Sequence, residues 1–381
     1  MRNAFAILRW VVGVLFIFSG LVKANDPLSL AYKMQEFFEV WQTDLNPGGA
    51  FSALYNWGHE QALPLAIIMI TAEVVAGAAL LTRWRPKPVL WFLLLLIVFF
   101  TFLTAFAYTS GRFKNCGCFG DCIPLTPLTS LLKDVFLLGA VLFLLVMHRR
   151  VEKVYTQVWQ GWPVVVASVV VTLALQWYVL TYLPLKDCLP FKQGASITQG
   201  MKPPANAVQD SFDLKFVYQK EGKQYEFTPA QLPANIATYQ FIDRKQVLVR
   251  KGNAEPAIKG FSLTGLSGAD STAAVLQLPQ ALLVFVEKVA ALSQKQMAAI
   301  TKVQEQAVAK NIFVAVVTAD VSGVQNLILT KKLVGLPVFS IDNTAVRTAA
   351  RANPTLIYLK QGVVVNKQAA PRFHQLLQEI Q

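Results

Sequence analysis

Residues 115–127 read Asn-Cys-Gly-Cys-Phe-Gly-Asp-Cys-Ile-Pro-Leu-Thr-Pro and place three of the chain's four cysteines within seven positions. On either side of this loop, residues 88–110 and 128–147 are almost wholly apolar. A helix of roughly 20 residues crosses a hydrocarbon core about 30 Å thick. The stretch therefore predicts two membrane helices joined by a short cysteine-rich loop.

The composition is that of a membrane protein with a more polar second half. Of the 381 residues, 54% are hydrophobic and 15% charged, against about 25% charged in soluble domains. Residues 1–188 carry 14 Lys and Arg against 10 Asp and Glu, and residues 189–381 carry 21 against 12, so the net charge of +13 divides into +4 and +9. Because the lysines of the second half are scattered, without a recognition motif, we predict no nucleic-acid partner.

Five apolar runs predict a multi-pass protein whose first partner is the lipid bilayer. They cover residues 5–23, 64–82, 88–110, 128–147 and 163–183. Basic residues are concentrated in the loops after the second and fourth runs, which are therefore expected to be cytoplasmic. The cysteine loop and everything after the fifth run then face the oxidising side of a bacterial inner membrane.

All four cysteines, Cys116, Cys118, Cys122 and Cys188, are expected on that side, where an even number of thiols suggests disulfides. The spacing leaves the connectivity open. A bridge between Cys116 and Cys118 would be strained, Cys118 could reach Cys122, and Cys188 offers a distant partner. Static bridges and redox exchange are both consistent with this pattern. Thiolates could also hold zinc or copper, but no histidine lies nearby and we predict no metal.

The loop ends where a helix is predicted to begin. Thr126 can cap the helix, and Pro127 suits its first position. The partial positive charge of a helix N-terminus lowers the pKa of a nearby thiol. Cys116, Cys118 and Cys122 are therefore candidate catalytic residues.

Two carboxylates interrupt the apolar runs. Glu73 lies midway along the second run and Asp134 about two turns into the fourth, beside Lys133. Charges at this depth are costly and are functional candidates by default, so both could support a proton or quinone path. The alternative is a structural pair, for instance Lys133 with Glu73. Lys23, at the end of the first run, is a candidate binding residue and is expected to extend to the membrane interface.

Several motifs recur in order across residues 1–150. They are Phe18-Ser19-Gly20-Leu21-Val22-Lys23-Ala24-Asn25-Asp26-Pro27, Glu73 followed by Gly77, Cys116-Gly117-Cys118-Phe119-Gly120-Asp121, Leu125-Thr126-Pro127 and Lys133-Asp134. Together they resemble the DoxX-like/methylamine-utilisation MauE group of four-helix membrane proteins. The resemblance implies thiol or electron-transfer chemistry linked to maturation of a disulfide-rich periplasmic enzyme.

The same resemblance invites comparison with quinone-linked disulfide-forming membrane proteins, which makes a quinone the candidate cofactor. This chain departs from them because its loop contains Cys-x-Cys and no Cys-x-x-Cys. A fifth span within residues 151–188 and a long outer tail resemble a Bacteroidetes form of the family.

The outer half is predicted to contain two parts. Residues 189–279 are read as a linker followed by β-hairpins, with strands at 212–218, 224–227, 238–242 and 247–250. Residues 280–381 predict the order β-α-β-α-β-α-β-β-α, which resembles thioredoxin. Pro354 matches the position of the thioredoxin cis-proline and is a candidate peptide-binding residue.

No cysteine occurs at residues 287–290, where a thioredoxin active site would lie. Because thiolates carry out disulfide exchange, this domain is predicted not to perform the chemistry itself. It is expected to bind peptide or to dock a partner, and the alternative is a spacer without a ligand.

The sequence thus predicts a helical membrane bundle followed by an α/β extracytoplasmic domain. Its predicted role is thiol–disulfide or electron-transfer support for the redox maturation of periplasmic proteins, and if it is an enzyme, it is a thiol–disulfide oxidoreductase. The alternative is a non-enzymatic membrane scaffold with structural disulfides and a protein-binding tail. Either role requires a periplasmic client or partner.

Overall fold

The computed structural model describes most of the chain, including the bundle and the outer half. The described residues are 2–45, 49–113, 117, 119–151, 161–209, 211–220, 222–233, 235–250, 252, 254–329 and 335–380. Cys116 and Cys118, which the sequence marks as candidate catalytic residues, lie outside them.

The first half is helical, and five of its described helices are long and apolar enough to cross a membrane. In chain order the helices are α1 (Arg2–Ala24), α2 (Pro27–Asp44), α3 (Ser52–Glu60), α4 (Ala62–Leu81), α5 (Pro86–Ser110), α6 (Pro127–Val151) and α7 (Trp162–Tyr182). The five predicted spans are confirmed as α1, α4, α5, α6 and α7.

Glycines allow α1 and α4 to pack closely. A Cβ atom on Gly77 would lie 2.8 Å from the carbonyl oxygen of Gly13, and a Cβ atom on Gly20 would lie 2.5 Å from a methyl group of Val74. Small residues permit such backbone approach between membrane helices, where packing replaces the hydrophobic effect as the driving force.

Helices α2 and α3 form a layer over one end of the bundle, in the segment between the first two predicted spans, where no helix is predicted from the sequence. The side chain of Asp26 caps α2 by accepting from the backbone N–H of Ser29 at 3.3 Å, and Pro27 occupies the first turn. Phe37 of α2 stacks on Phe113, just after α5, with ring centroids 4.2 Å apart. The layer is therefore fixed to the bundle by aromatic packing.

The second half contains two β-sheets. Its elements are α8 (Ile197–Gly200), β1 (Ser211–Lys220), β2 (Lys223–Phe227), β3 (Gln240–Arg250), β4 (Thr264–Gly265), α9 (Thr272–Gln277), β5 (Ala281–Val286), α10 (Gln294–Ala309), β6 (Phe313–Thr318), α11 (Val321–Leu329), β7 (Val338–Ser340), α12 (Asn343–Ala349), β8 (Thr355–Lys360), β9 (Val363–Ala369) and α13 (Phe373–Glu379). From β5 onward, the order is the predicted one.

The smaller sheet is antiparallel, in the order β2-β1-β3. The hairpin of β1 and β2 about Gly222 is confirmed, with Lys220 opposite Lys223. The second predicted hairpin is wrong, because β3 continues without a turn and pairs along the length of β1.

The larger sheet has the order β4-β7-β6-β5-β8-β9 and forms the centre of the α/β domain. Strand β5 is buried along its whole length, parallel to β6 and antiparallel to β8. Apolar clusters cover both faces of the sheet. Phe191 and Ile197 belong to one of them, and the backbone N–H of Gly194 donates to the carbonyl of Val364. The core therefore includes residues that closely follow α7.

Candidate functional site

Three connecting segments meet at the end of the bundle covered by α2. A disulfide joins Cys122, in the loop between α5 and α6, to Cys188, just after α7. The side chain of Asn25, after α1, donates to the carbonyl of Lys186 at 2.9 Å and accepts from its N–H at 3.1 Å. Both cross-links hold the ends of the spans together.

The disulfide uses two of the four cysteines in the sequence. It is one of the pairings that the spacing left open. The other two, Cys116 and Cys118, belong to the same loop but lie outside the described residues. Within the described chain, no cluster of three or more His, Cys, Asp or Glu is arranged to hold a metal ion.

Both half-cystines follow an aspartate that is paired with the α/β domain. Asp121 precedes Cys122 and accepts from Nη2 of Arg351 at 2.8 Å. Asp187 precedes Cys188 and accepts from Nζ of Lys367, also at 2.8 Å. The α/β domain is therefore held against the bundle on both sides of the disulfide.

Arg351 is the centre of this interface. It is 5% exposed, and its Nε donates to Oδ2 of Asp26 at 2.8 Å, in addition to the bond with Asp121. Its Nη1 donates to the carbonyl of Arg347 at 2.7 Å. One guanidinium thus joins the start of α2, the cysteine loop and the end of α12.

The charges in this interface respond to burial in different ways. Burial raises the pKa of Asp26, and the nearby Arg351 only partly offsets that effect. Burial disfavours the charged form of Arg351 too, but the carboxylates of Asp26 and Asp121 outweigh it and raise its pKa. Burial lowers the pKa of Lys367, with Asp187 opposing the shift. Arg351 therefore stays charged while two carboxylates share it.

Tyr32 extends the interface from α2 to the end of β5. Its hydroxyl donates to Oε2 of Glu287 at 2.9 Å, and its ring centroid lies 4.8 Å from the guanidinium of Arg347 and 5.3 Å from that of Arg351. Burial, strengthened by the carboxylate of Glu287, raises the pKa of Tyr32, so the phenol keeps its proton for this bond. Glu287, the first residue of the cysteine-free segment 287–290, therefore contacts the membrane bundle.

Pro354 lies beside the same segment. The Asn353–Pro354 peptide bond is cis. The side chain of Asn353 accepts from the N–H of Glu287 at 3.1 Å and donates to the carbonyl of Lys288 at 2.7 Å. Pro354 lines a cleft of about 390 Å³ together with Thr181 of α7. Peptide binding at Pro354 stays a prediction.

Inside the bundle, Glu73 is paired with Lys23 and accepts from the hydroxyl of Ser19 at 3.3 Å. Lys23 is 3% exposed, so the expectation that it extends to the interface is wrong. The predicted pairing of Glu73 with Lys133 is also wrong. An uncompensated buried carboxylate is costly, and the inward turn of the lysine avoids that cost.

Asp134 is fully buried in a second polar cluster. Its Oδ1 lies 2.6 Å from Nζ of Lys133, and its Oδ2 accepts from the hydroxyl of Thr104 at 3.1 Å. Phe119, in the cysteine loop, places its ring centroid 5.2 Å from Nζ of Lys133 and 5.8 Å from the ring of Phe18. The loop therefore packs directly on the charged interior.

Glu73 and Asp134 line one cavity of about 30 Å³, which is shared with Lys23, Lys133 and Phe119. A water molecule needs at least about 10–15 Å³ of accessible cavity volume. The cavity is therefore large enough for one or two water molecules. Pockets for organic ligands measure about 300–1,000 Å³. A quinone ring does not fit the cavity that the described residues form.

The backbone between the two remaining cysteines lies against α2. A Cβ atom on Gly117 would be 3.1 Å from Cγ of Lys33, and the φ angle of Gly117 is +68°, a conformation that favours glycine. Lys33 pairs with Glu36 at 2.7 Å. A lysine side chain therefore borders Gly117 in the cysteine loop.

In comparison with known proteins, the two halves of the chain match different family models. Residues 1–147 match the family model of the methylamine utilisation protein MauE. The MauE match covers Glu73, Asp134 and the cysteine loop, whereas Cys188 and Arg351 lie beyond it. Residues 212–251, which correspond to the small sheet, match a domain of unknown function (DUF8463).

A curated relative is the protein TlpB of Flavobacterium psychrophilum, which is 32% identical over 144 residues. The aligned region is 36% of this chain and 36% of TlpB, so about a third of each protein is matched.

Sequence reasoning missed the interface roles of Arg351, Tyr32, Asp26, Asp121 and Asp187. Arg351 is separated from Asp26 by 325 positions and from Asp121 by 230. No local periodicity marks such a residue. The one available signal was the aspartate before each of Cys122 and Cys188, a repeated Asp-Cys pair on the same side of the membrane.

Proposed function

We propose that this protein is an inner-membrane thiol–disulfide protein in which Cys116 and Cys118 exchange disulfides with periplasmic proteins. The proposal depends on the bond between Cys122 and Cys188, which anchors the loop and leaves Cys116 and Cys118 as the exchangeable pair. A bridge across a single residue is strained, and strained disulfides are readily reduced. The MauE match over the segment that carries this loop supports the same chemistry.

In the proposed exchange, the disulfide of the loop is transferred to the client in two steps. A client thiolate attacks one sulfur of the oxidised Cys116–Cys118 pair, which forms a mixed disulfide and releases the other loop sulfur as a thiolate. A second client thiolate then displaces the first loop sulfur. The client is oxidised by two electrons, the loop is reduced by two, and two protons pass from client thiols to loop thiols.

Glu73 and Asp134 are the candidates for exchanging protons with the loop thiols from the bundle side. Their cavity admits water and is bordered by Phe119, which immediately follows Cys118. Lys23 and Lys133 neutralise the two carboxylates, so the cluster can remain buried without a net charge. This arrangement supports a short water-mediated path between the loop and the bundle.

The proposed location is a bacterial inner membrane with the C-terminal domain in the periplasm. Support comes from the placement of the cysteine loop, the segment after α1 and the α/β domain at one end of the bundle. Basic residues such as Arg83, Arg85 and Lys87 belong to a connection at the opposite end, which favours the cytoplasm for that side. A disulfide is also expected to persist on the oxidising side.

The α/β domain is proposed to be a thioredoxin-like module that binds a client without exchanging disulfides. The parallel β5, β6 and β7 and the antiparallel β8 and β9 support this assignment. Its segment 287–290 contacts the bundle through Tyr32 and contains no cysteine. The cleft beside Pro354 is the candidate site for an extended client peptide.

Thiol mapping in glutathione redox buffers tests the proposal. The full-length protein in lipid nanodiscs is equilibrated at several potentials, quenched with acid, alkylated and mapped by mass spectrometry. We expect Cys116 and Cys118 to interconvert between thiol and disulfide while Cys122 and Cys188 stay bonded. The proposal is wrong if Cys116 and Cys118 remain in one state across all buffers.

The second candidate is a non-enzymatic membrane scaffold. The ion pairs of Asp121 and Asp187 favour it, because a disulfide held on both sides by docked residues behaves as a structural cross-link. Extraction of the protein from the membrane in mild detergent distinguishes the scaffold from the exchange function. Stable stoichiometric partners that survive thiol alkylation support the scaffold, and mixed disulfides trapped on Cys116→Ser or Cys118→Ser variants support exchange.

A further inference from the structure

We propose that a cleft between α10 and α13 of the α/β domain binds the phosphate group of an anionic phospholipid, in the leaflet that this domain faces. The proposal goes beyond the thiol–disulfide function and does not depend on it. Its basis is the charge of the side chains that line the cleft, together with the position of the cleft beside the end of a membrane span.

The cleft between α10 and α13 has a volume of about 400 Å³ and combines cationic and apolar walls. Its basic or titratable lining residues are Lys295, Lys302 and His374, all of them exposed. Phe373 and Leu377 of α13 are buried and form part of its floor. Pockets of about 300–1,000 Å³ hold small organic ligands. The lining suits a phosphate that is joined to an apolar group.

The two lysines of this cleft are not neutralised by the part of the chain that the structure describes. Neither Lys295 nor Lys302 forms an ion pair or a side-chain hydrogen bond there. They are seven positions apart, nearly two full turns of α10, and therefore project from the same face of the helix. Glu305, the one acidic residue of α10, does not line the cleft. An anion is the ligand whose charge complements this site.

The cleft is close to the level at which α7 leaves the membrane. Trp177, Tyr178 and Tyr182 belong to the last turns of this span, and such aromatic residues are enriched at membrane–water interfaces. Nη2 of Arg372 donates to the hydroxyl of Tyr178 at 2.9 Å, and its guanidinium lies 4.5 Å from the ring centroid of Tyr182. His374, two positions after Arg372, lines the cleft. One wall of the site therefore adjoins the interfacial aromatic residues.

A second link to α7 comes from the neighbouring cleft beside Pro354. Lys295 lines both clefts, and the one beside Pro354 is also lined by Leu180 and Thr181 of α7. The polar headgroup region extends about 5–7 Å beyond each side of the hydrocarbon core. Because Lys295 is next to the last turn of a span, its ammonium group is placed at the level of the lipid phosphates. Lysines at this level attract anionic lipids.

Footprinting of lysine amines tests the proposal on the full-length protein. The protein is placed in nanodiscs of phosphatidylcholine, with or without phosphatidylglycerol, and treated briefly with acetic anhydride, and each modified lysine is quantified by mass spectrometry. We expect Lys295 and Lys302 to react several-fold more slowly when phosphatidylglycerol is present. Lys202 and Lys223 are exposed lysines that do not line the cleft, and they should react at similar rates in both lipids.

A bulky substitution distinguishes the cleft from general attraction to an anionic surface. Ala298 is exposed and lines only this cleft, so Ala298→Trp fills it without any change of charge. We expect Ala298→Trp to abolish the protection of Lys295 and Lys302. Ala309→Trp adds the same bulk at an exposed position of α10 outside the cleft, and it should behave like the wild type.

Removal of charge gives an independent measurement. Detergent-solubilised protein is titrated with a fluorescent phosphatidylglycerol. Each lysine beside an anionic lipid contributes roughly a fivefold gain in binding, so Lys295→Gln with Lys302→Gln should weaken the affinity about five- to thirtyfold. Lys202→Gln with Lys223→Gln removes the same two charges from the outer half of the chain and should leave the affinity near that of the wild type.

The proposal is overturned if phosphatidylglycerol protects all four lysines equally or protects none of them. It is also overturned if Ala298→Trp retains the protection, because the attraction would then belong to the whole membrane surface. Inorganic phosphate is added to phosphatidylcholine nanodiscs as a further arm. Equal protection by phosphate alone would identify a site for free anions and reject the lipid. Thiol mapping has a separate readout, so the failure of either proposal leaves the other standing.

Discussion

Arg351 and Asp121 are joined by a 2.8 Å hydrogen bond across 230 positions of sequence, and Asp121 immediately precedes the disulfide-bonded Cys122. Lys367 binds Asp187, the residue before the other half-cystine, at the same distance. The disulfide therefore fixes the two acidic residues that bind the α/β domain relative to each other. Such preorganisation lowers the entropic cost of the interface.

Loss of the disulfide should destabilise the protein more than loss of the other two cysteines. Cys122 and Cys188 are 66 positions apart, and a loop of this length corresponds to about 4 kcal/mol in the chain-entropy model. Because membrane helices persist in the denatured state and restrict the loop, we expect about 2–4 kcal/mol for Cys122→Ser with Cys188→Ser.

Thermal unfolding in detergent measures this difference, with the Cys116→Ser/Cys118→Ser variant as the matched control. The control should unfold at nearly the wild-type temperature, since a bridge across one residue constrains little chain. Equal losses in both double variants would contradict the structural role of the Cys122–Cys188 bond.

The buried pair of Lys23 and Glu73 should tolerate joint replacement better than single replacement. Removal of one partner leaves an uncompensated charge in an apolar bundle, which costs about 3–5 kcal/mol. Lys23→Met and Glu73→Gln should therefore each lower the unfolding temperature strongly, and the double variant should recover much of the loss.

The more exposed pair of Lys33 and Glu36 provides the control for this experiment. Such i,i+3 pairs contribute about 0.2–0.5 kcal/mol, so Lys33→Met should have little effect on unfolding. A double Lys23→Met/Glu73→Gln variant that is as unstable as the sum of its single variants would show that the two residues do not act as a pair.

The features predicted from sequence are those encoded by neighbouring residues. Runs of about 20 apolar residues specify the five spans, and short apolar runs separated by helical patterns specify the order of elements from β5 onward. Helix α2 was missed because polar and charged residues interrupt its apolar positions, so that no continuous run marks it.

The site was predicted less completely, because its decisive contacts join distant residues. Glu73 and Asp134 were identifiable as charges within apolar runs, but their partners were not. Lys23 lies at the end of α1, which suggested contact with water, yet α2 and the cysteine loop cover that end. The bond of Tyr32 to Glu287 spans 255 positions and has no local signature.

The pH dependence of stability should include a contribution from Asp26. Burial raises its pKa in the folded protein above the ordinary value of 3.8. The folded state then binds the proton more tightly than the unfolded state, so stability is fully present below about pH 3.8 and is lost as pH rises through the raised pKa. Asp26→Asn should remove this decline.

Unfolding midpoints measured between pH 3.5 and 7 test whether the contribution of Asp26 to stability falls as the pH rises. The stability of the wild type relative to Asp26→Asn should fall with increasing pH, because the folded protein binds the Asp26 proton more tightly than the unfolded chain does. A rise of the relative stability over this range would mean that the Arg351 pairing outweighs burial at Asp26.

The phenol of Tyr32 should contribute to docking separately from its ring. Tyr32→Phe removes the 2.9 Å bond to Glu287 and leaves a carboxylate oxygen with one donor fewer, at a cost of about 1–3 kcal/mol. Tyr32→Leu also removes the stacking under Arg347 and Arg351, which adds about 0.5–2 kcal/mol.

Hydrogen exchange of the Glu287 amide reports the docking, because its carboxylate binds Tyr32 and its N–H donates to Asn353. We expect faster exchange in Tyr32→Phe and still faster exchange in Tyr32→Leu, while Tyr55→Phe, a change in α3 away from this interface, should resemble the wild type. If Tyr32→Phe exchanges like the wild type and Tyr32→Leu does not, the contact depends on the ring, and the hydrogen bond to Glu287 contributes nothing measurable.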